Sequence, residues 1–176
     1  NHTILTNETT EIMISELTES KEALQKITNN EITSFCYPRG KYNNKVIEKV
    51  KQAGYKNGRT TELFRTAISN PYEIHTTIQA VNRILPSKIK QIFNTNDHQI
   101  RNNMLFSGMI LSNWDKIAIK TFDHVMENGG IWHLWGHSWE IDRNNDWDKL
   151  KNVLNYVQTN GKKYGAEFLT NGELTK

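Results

Sequence analysis

Residues able to do chemistry are concentrated in one peptide, Gly129-Gly-Ile-Trp-His-Leu-Trp-Gly-His-Ser-Trp-Glu-Ile-Asp142, which holds two His, three Trp, one Glu and one Asp. Imidazole exchanges protons near neutral pH, and a nearby carboxylate fixes its tautomer. Indole rings beside a polar site bury the C–H face of a sugar and leave its hydroxyls free. His133 falls inside a run that reads as a strand, where a half-buried polar residue is the simpler account. His137, between Gly136 and Ser138, sits at the end of that run, and there a functional reading is favoured. Its neighbours Glu140 and Asp142 are both close enough in sequence to orient it. A second peptide, Tyr37-Pro38-Arg39-Gly40, makes a Pro/Gly turn at a strand end that can aim a backbone N–H at a developing oxyanion. By itself it is equally an ordinary turn. His2 is a third candidate, although a lone His near a terminus is ordinarily just that.

These peptides need strands and helices to position them. Thr9 or Thr10 caps a helix to about Ile27, with Met13, Leu17, Leu24 and Ile27 on one face. Ile32–Tyr37 reads as a strand, Asn44 as the cap of a helix burying Val46, Ile47 and Val50 up to Gly54, and Tyr55–Thr60 as another strand. Pro71 and Pro86 break the stretch 70–106 into loops with one or two short helices. Trp114, Ile117, Ala118, Thr121, Phe122 and Val125 follow the spacing of a buried helical stripe that ends at Gly129-Gly130. Ile131–Trp135 reads as a strand, Trp147–Val157 as a helix capped by Asn145 or Asp146, and Ala166–Leu169 as a last strand. The alternation predicts an α/β fold with parallel strands and chemistry at their C-terminal ends.

Bulk properties narrow the function. The 176 residues make one domain by size, and five Trp, six Tyr and six Phe supply the packing mass a disordered chain lacks. With 22 basic and 19 acidic residues the charge is +3, and no basic run interleaves with aromatics, which argues against nucleic acid. No stretch approaches the roughly 18 apolar residues of a membrane span. Cys36 is alone, so no intramolecular disulfide is expected. Two sequons, at Asn1 and Asn7, carry little weight in an Asn-rich sequence. The first residue is Asn1 rather than Met, which implies a segment removed upstream.

Taken in order, the motifs resemble the NodB-homology polysaccharide deacetylases (carbohydrate esterase family 4). Asn1-His2-Thr3 looks like the start of that family's metal-binding His motif. Glu19–Leu24 is similar to the helix after it, and Phe35-Cys-Tyr-Pro-Arg-Gly40 to its Pro/Gly turn. Ala53-Gly54-Tyr55 with Gly58–Thr61 resembles the following stretch, and Trp135-Gly-His-Ser-Trp-Glu140 with Asn145-Asp146-Trp147 its closing motif. The resemblance implies a NodB-type distorted (β/α) barrel, incomplete at the N-terminus, over residues 1–176. It implies a hydrolase that removes N-acetyl groups from a GlcNAc-containing polymer of the chitin-oligosaccharide or peptidoglycan type, acting in a secreted or cell-envelope setting, with the cytoplasm as the other possibility. It also implies a divalent metal, usually zinc, with His2 as a ligand. His137 would be the general acid and the Arg39 backbone N–H the oxyanion donor, while Tyr37, Pro38, Gly40, Trp135 and Trp139 would line the substrate pocket. This sequence departs from the pattern in three places. The Asp-Asp motif is absent, Thr6 stands where a second metal His is expected, and Cys36 replaces the usual Arg, with Arg59 on the next strand able to supply a guanidinium. The expectation is therefore weak metal binding by this chain, and a carbohydrate-binding relative without catalysis is the alternative.

Overall fold

The computed structural model describes residues 2–95 and 97–175, which sort into two compact units. The first comprises the chain through Thr61, the segment Ile68–Ile74 and the residues from Leu169 onward. Its helix α1 (Thr10–Thr28) starts where the Thr9 hydroxyl accepts from the Ile12 N–H and stops where Asn29 turns left-handed. Of the predicted stripe only Met13 and Leu17 are buried. Leu24 and Ile27 face solvent, 47% and 79% exposed.

Strand β1 (Ser34–Cys36) pairs in parallel with β2 (Asn57–Arg59), through helix α2 (Asn44–Gln52). The α2 cap is Asn43, one residue before the expected Asn44. Its side chain accepts from the Val46 N–H at 2.9 Å, and its extended backbone leaves Asn44 as the first helical residue. Val46, Ile47 and Val50 are buried as predicted, against Leu5, Met13, Leu17, Tyr37 and Tyr55. The far edge of β2 is covered by the segment around Ile74, where Ile74 N–H donates to Gly58 O and Thr60 N–H to Ile74 O. The Asn57 amide donates to the Asn171 carbonyl and the Thr175 hydroxyl, tying the last residues into this unit.

The second unit holds Glu62–Ala67 and His75–Phe168. Strand β3 (Ile78–Gln79), unforeseen within the Pro-broken stretch, is followed by α3 (Leu85–Asn94), α4 (His98–Phe106) and α5 (Trp114–Asn128). Then come β4 (Leu134–Trp135), α6 (Ser138–Arg143) and α7 (Trp147–Tyr164). β3 and β4 are parallel, with Gln79 opposite Trp135. The predicted strand 131–135 shortens to its last two residues. Above them Thr77, fully buried, adds to its backbone bond with His133 O a hydroxyl that accepts from His133 N–H and donates to Ile131 O. Residues 166–169 form no strand: Phe168 instead packs against Gly161 of α7, where a Cβ would come within 2.9 Å of its ring. All six α5 stripe residues are buried, whereas of the apolar α7 positions Trp147, Leu150, Val153, Leu154 and Val157 only Val153 and Val157 are. The strands are parallel and the class is mixed α/β, but the described residues form two separate two-stranded sheets and no closed barrel.

Trp114 anchors this unit. Its Nε1–H donates to Asp146 at 2.8 Å and its backbone N–H to Asn82. Desolvation, the largest influence on Asp146, pushes its carboxyl up. The hydrogen bonds from Lys149 and Trp114 and the Lys149 charge outweigh it and hold the group below its ordinary value of 3.8. A carboxylate depressed in the folded state adds stability above that value and loses it as pH falls through the folded one. In urea unfolding, Trp114→Phe should therefore cost about 1–3 kcal/mol near neutral pH by stranding a buried acceptor. The stability gap between the parent and Asp146→Asn should narrow as pH drops below about 4.

Candidate functional site

In the first unit the Pro/Gly turn is built from the end of β1. Tyr37 N–H donates to Arg59 O, carrying the pairing one residue past the strand. Pro38–Gly40 then forms one 3₁₀ turn, with Gly40 N–H donating to Tyr37 O at 2.8 Å. Arg39 inside the turn is left-handed (φ 54°, ψ 19°), a conformation that costs a non-glycine residue roughly 1 kcal/mol or more. Gly40 is left-handed too (φ +66°), and a Cβ there would lie 2.0 Å from the Thr61 hydroxyl. Arg39 is exposed, and among the described residues no acceptor takes its backbone N–H. A donor held in a strained turn and left without a partner is the arrangement an oxyanion site requires.

The ring of Tyr37 points the other way. It is buried, stacked on Tyr42 and edge-on to Phe35, and its hydroxyl donates to the Tyr72 carbonyl at 2.8 Å. Burial, with help from the Glu73 charge, pushes its phenol well above the ordinary range, so it stays neutral. Tyr37 thus offers the turn an anchor; its hydroxyl is already engaged. Gly58 makes room for that ring, since a Cβ there would sit 2.5 Å from the Tyr37 hydroxyl. Arg59 lies on the next strand, as the sequence suggested; the β1–β2 register sets it opposite Cys36, and it is buried. Burial lowers its pKa, opposed by Cys36.

His2 is exposed, and Thr6 follows it in a short 3₁₀ turn at Leu5–Asn7. Asn1, with its sequon, lies outside the described residues. Among the described residues no group of three His, Cys, Asp or Glu side chains is placed to hold a metal ion. One exposed imidazole does not make a zinc site, so the residues at hand do not fit the metal that the resemblance implies.

In the second unit, Trp135, His137 and Trp139 are brought together by the β4–α6 connection. His137 is the N-cap residue of α6, its carbonyl accepting from Glu140 and Ile141 N–H, so the peptide expected to be loop turns helical at once. That turn swings Glu140 back beneath the imidazole, with Oε2 2.7 Å from Nδ1. Asp142, the other candidate partner, accepts instead from Trp147 Nε1. His137 meets Trp135 edge-on at 5.4 Å and stacks on Trp139 at 5.1 Å, while the Arg143 guanidinium lies 4.9 Å from the same Trp139 ring. The Glu140 carboxylate selects the Nδ1–H tautomer, which turns Nε2 into the proton-exchanging atom. The imidazole is half exposed at 46% and its carboxylate partner much less so at 17%, an acid–base arrangement open to a ligand. A polar cleft lined by Asn82, Arg143, Asn144 and Lys149 adjoins Glu140.

Sequence reasoning missed Gln79. Buried on β3, it donates through Nε2 to Glu140 Oε2 at 3.3 Å and accepts from the Arg83 guanidinium. Because Arg donates only, its contact settles which way the amide faces. A two-residue strand in a Pro-broken stretch gave no periodicity by which to find it.

Residues 1–58 match the family model for polysaccharide deacetylase. The NodB-homology resemblance holds for that segment, which takes in His2 and the Tyr37–Gly40 turn; the His137 peptide lies beyond it. No curated protein and no solved structure matches the chain.

Three outcomes test this geometry. Gly58→Ala should destabilise the fold by about 1–3 kcal/mol through overpacking against Tyr37. Tyr37→Phe, which keeps the ring, should cost only about 1 kcal/mol in the same denaturation series. Calorimetric titration of the 176-residue chain with Zn²⁺ should show weak binding that His2→Ala leaves nearly unchanged.

Proposed function

We propose that the protein removes N-acetyl groups from a GlcNAc-containing polysaccharide of the chitin-oligosaccharide or peptidoglycan type, in a secreted or cell-envelope setting. The observation that carries this reading is the His137–Glu140 pair beside Trp135 and Trp139, in a chain whose first 58 residues match the deacetylase family. We further propose that the α/β units belong to one NodB-type (β/α) domain spanning residues 1–176.

In amide hydrolysis water attacks the acetamide carbonyl, the tetrahedral intermediate expels the amine, and acetate leaves. The C–N bond breaks readily only when the nitrogen is protonated as it departs. Imidazolium Nε2–H of His137 is suited to deliver that proton, since Glu140 occupies Nδ1 and stabilises the positive charge until transfer. The Arg39 N–H is suited to the oxyanion, as a backbone donor that needs no reorganisation. The base and the metal ligands implied by the resemblance, His2 apart, are assigned to none of the described residues.

The test is acetate release from chitin oligosaccharides and from N-acetylated peptidoglycan. His137→Ala should lower kcat/KM by roughly 10²–10⁴ while sparing metal content. Glu140→Gln should cost about tenfold or more, because the imidazole keeps its place and loses its charge partner. Unchanged turnover in His137→Ala would remove that residue from the mechanism. Oligosaccharide binding that survives a chelator, with no acetate released by the parent, would point instead to a carbohydrate-binding relative.

A further inference from the structure

We propose that the α3–α4 region is a docking surface for an anionic lipid bilayer. Along α3 the residues Leu85, Ile89 and Phe93 recur every fourth position, with Ile84 just before the helix, and all four are exposed, Phe93 to 61% and Ile84 to 75%. The elements packed on α3 add Phe106, 87% exposed at the end of α4, and Leu111, 72% exposed in the 3₁₀ turn that follows. Single exposed apolar side chains are ordinary, but a recurring stripe of them is not.

Charge identifies the occupant. Residues 83–111 contain Arg83, Lys88, Lys90 and Arg101 against a single acid, Asp97. Their balance of +3 is the net charge of the entire chain, so the remaining residues sum to zero. Asp97 is turned to internal work, capping α4 through Ile100 N–H and accepting from Thr66, with His124 3.4 Å away. Lys88 and Arg83 are likewise internal, Lys88 donating to Ile110 O and Ser112 O and Arg83 to the Gln79 side-chain oxygen, which leaves Lys90 and Arg101 as the segment's outward cations. Lys90 and Arg101 have no carboxylate within ion-pairing distance among the described residues.

Helix α1 supplies the contrast. It too exposes apolar residues, Ile12, Ile14, Leu24 and Ile27, but it carries Glu11, Glu16, Glu19 and Glu22 against Lys21 and Lys26. Acid-flanked apolar surface is repelled by an anionic bilayer, whereas basic-flanked surface is drawn to it and then buries its aromatic and aliphatic groups at the headgroup boundary. Among the described residues no helix is long and apolar enough to cross a membrane.

The experiment is flotation of the full chain with phosphatidylglycerol-rich vesicles and with pure phosphatidylcholine vesicles. Binding should favour the anionic vesicles by about tenfold or more and weaken with salt. Lys90→Glu should cut anionic binding about tenfold, and Ile89→Ser with Phe93→Ser should abolish it, with circular dichroism unchanged because these side chains are on the surface. Equal binding to both vesicle types, or none, would overturn the proposal. So would a concentration-dependent dimer in light scattering that the Ile89/Phe93 variant dissolves, since a second copy would then cover the face. None of these outcomes depends on deacetylase activity.

Discussion

Parallel pairing over three residues in one unit and two in the other supplies too few backbone hydrogen bonds to hold strands in register. Side chains must complete what the ladders leave out. In the first unit the Tyr37 ring lies over Gly58, filling the space a side chain would take, and its hydroxyl reaches the Tyr72 carbonyl. In the second unit the Thr77 hydroxyl accepts from His133 N–H and donates to Ile131 O. A parallel ladder is slanted and slightly weaker per residue than an antiparallel one, so the dependence on such wedges is strong.

The same economy shapes the chemistry. The turn at Pro38–Gly40 follows directly on Tyr37, which is fixed in the core. His137 is positioned by the three-residue span to Glu140, closed by the first turn of α6, and Glu140 is in turn held by buried Gln79. The proton-exchanging nitrogen therefore sits at the end of a chain of fixed groups, His137–Glu140–Gln79–Arg83, that leads inward from a half-exposed ring. Such chains restrict a side chain more effectively than packing alone, because each member has one orientation that satisfies its neighbour.

The exposed apolar stripe on α3 belongs to a different balance. Helix amphipathicity normally points the apolar face at the core, and Ile92 does so, fully buried. The stripe beside it stays open, and Lys90 and Arg101 in the same segment have no ion-pair partner among the described residues.

The sequence by itself determined the long helices, the parallel α/β class, the α5 stripe and the deacetylase likeness of the first 58 residues, all of which rest on local periodicity or contiguous motifs. It put Arg59 on the strand after the one that holds Cys36, while the register that sets the two opposite each other came from the structure. Only the tertiary structure chose Glu140 over Asp142 as the partner of His137. Both are close in sequence, and the decision came from the helical turn that begins at His137. Only it showed Tyr37 facing inward, since a strand end presents a side chain to either face until a neighbour such as Gly58 makes room for it. It likewise turned 166–169 from a strand into packing against Gly161, and brought Gln79 to the site from 61 residues away. These are contacts between residues distant in the chain or alternatives one residue apart, and local pattern carries no energy term that distinguishes them.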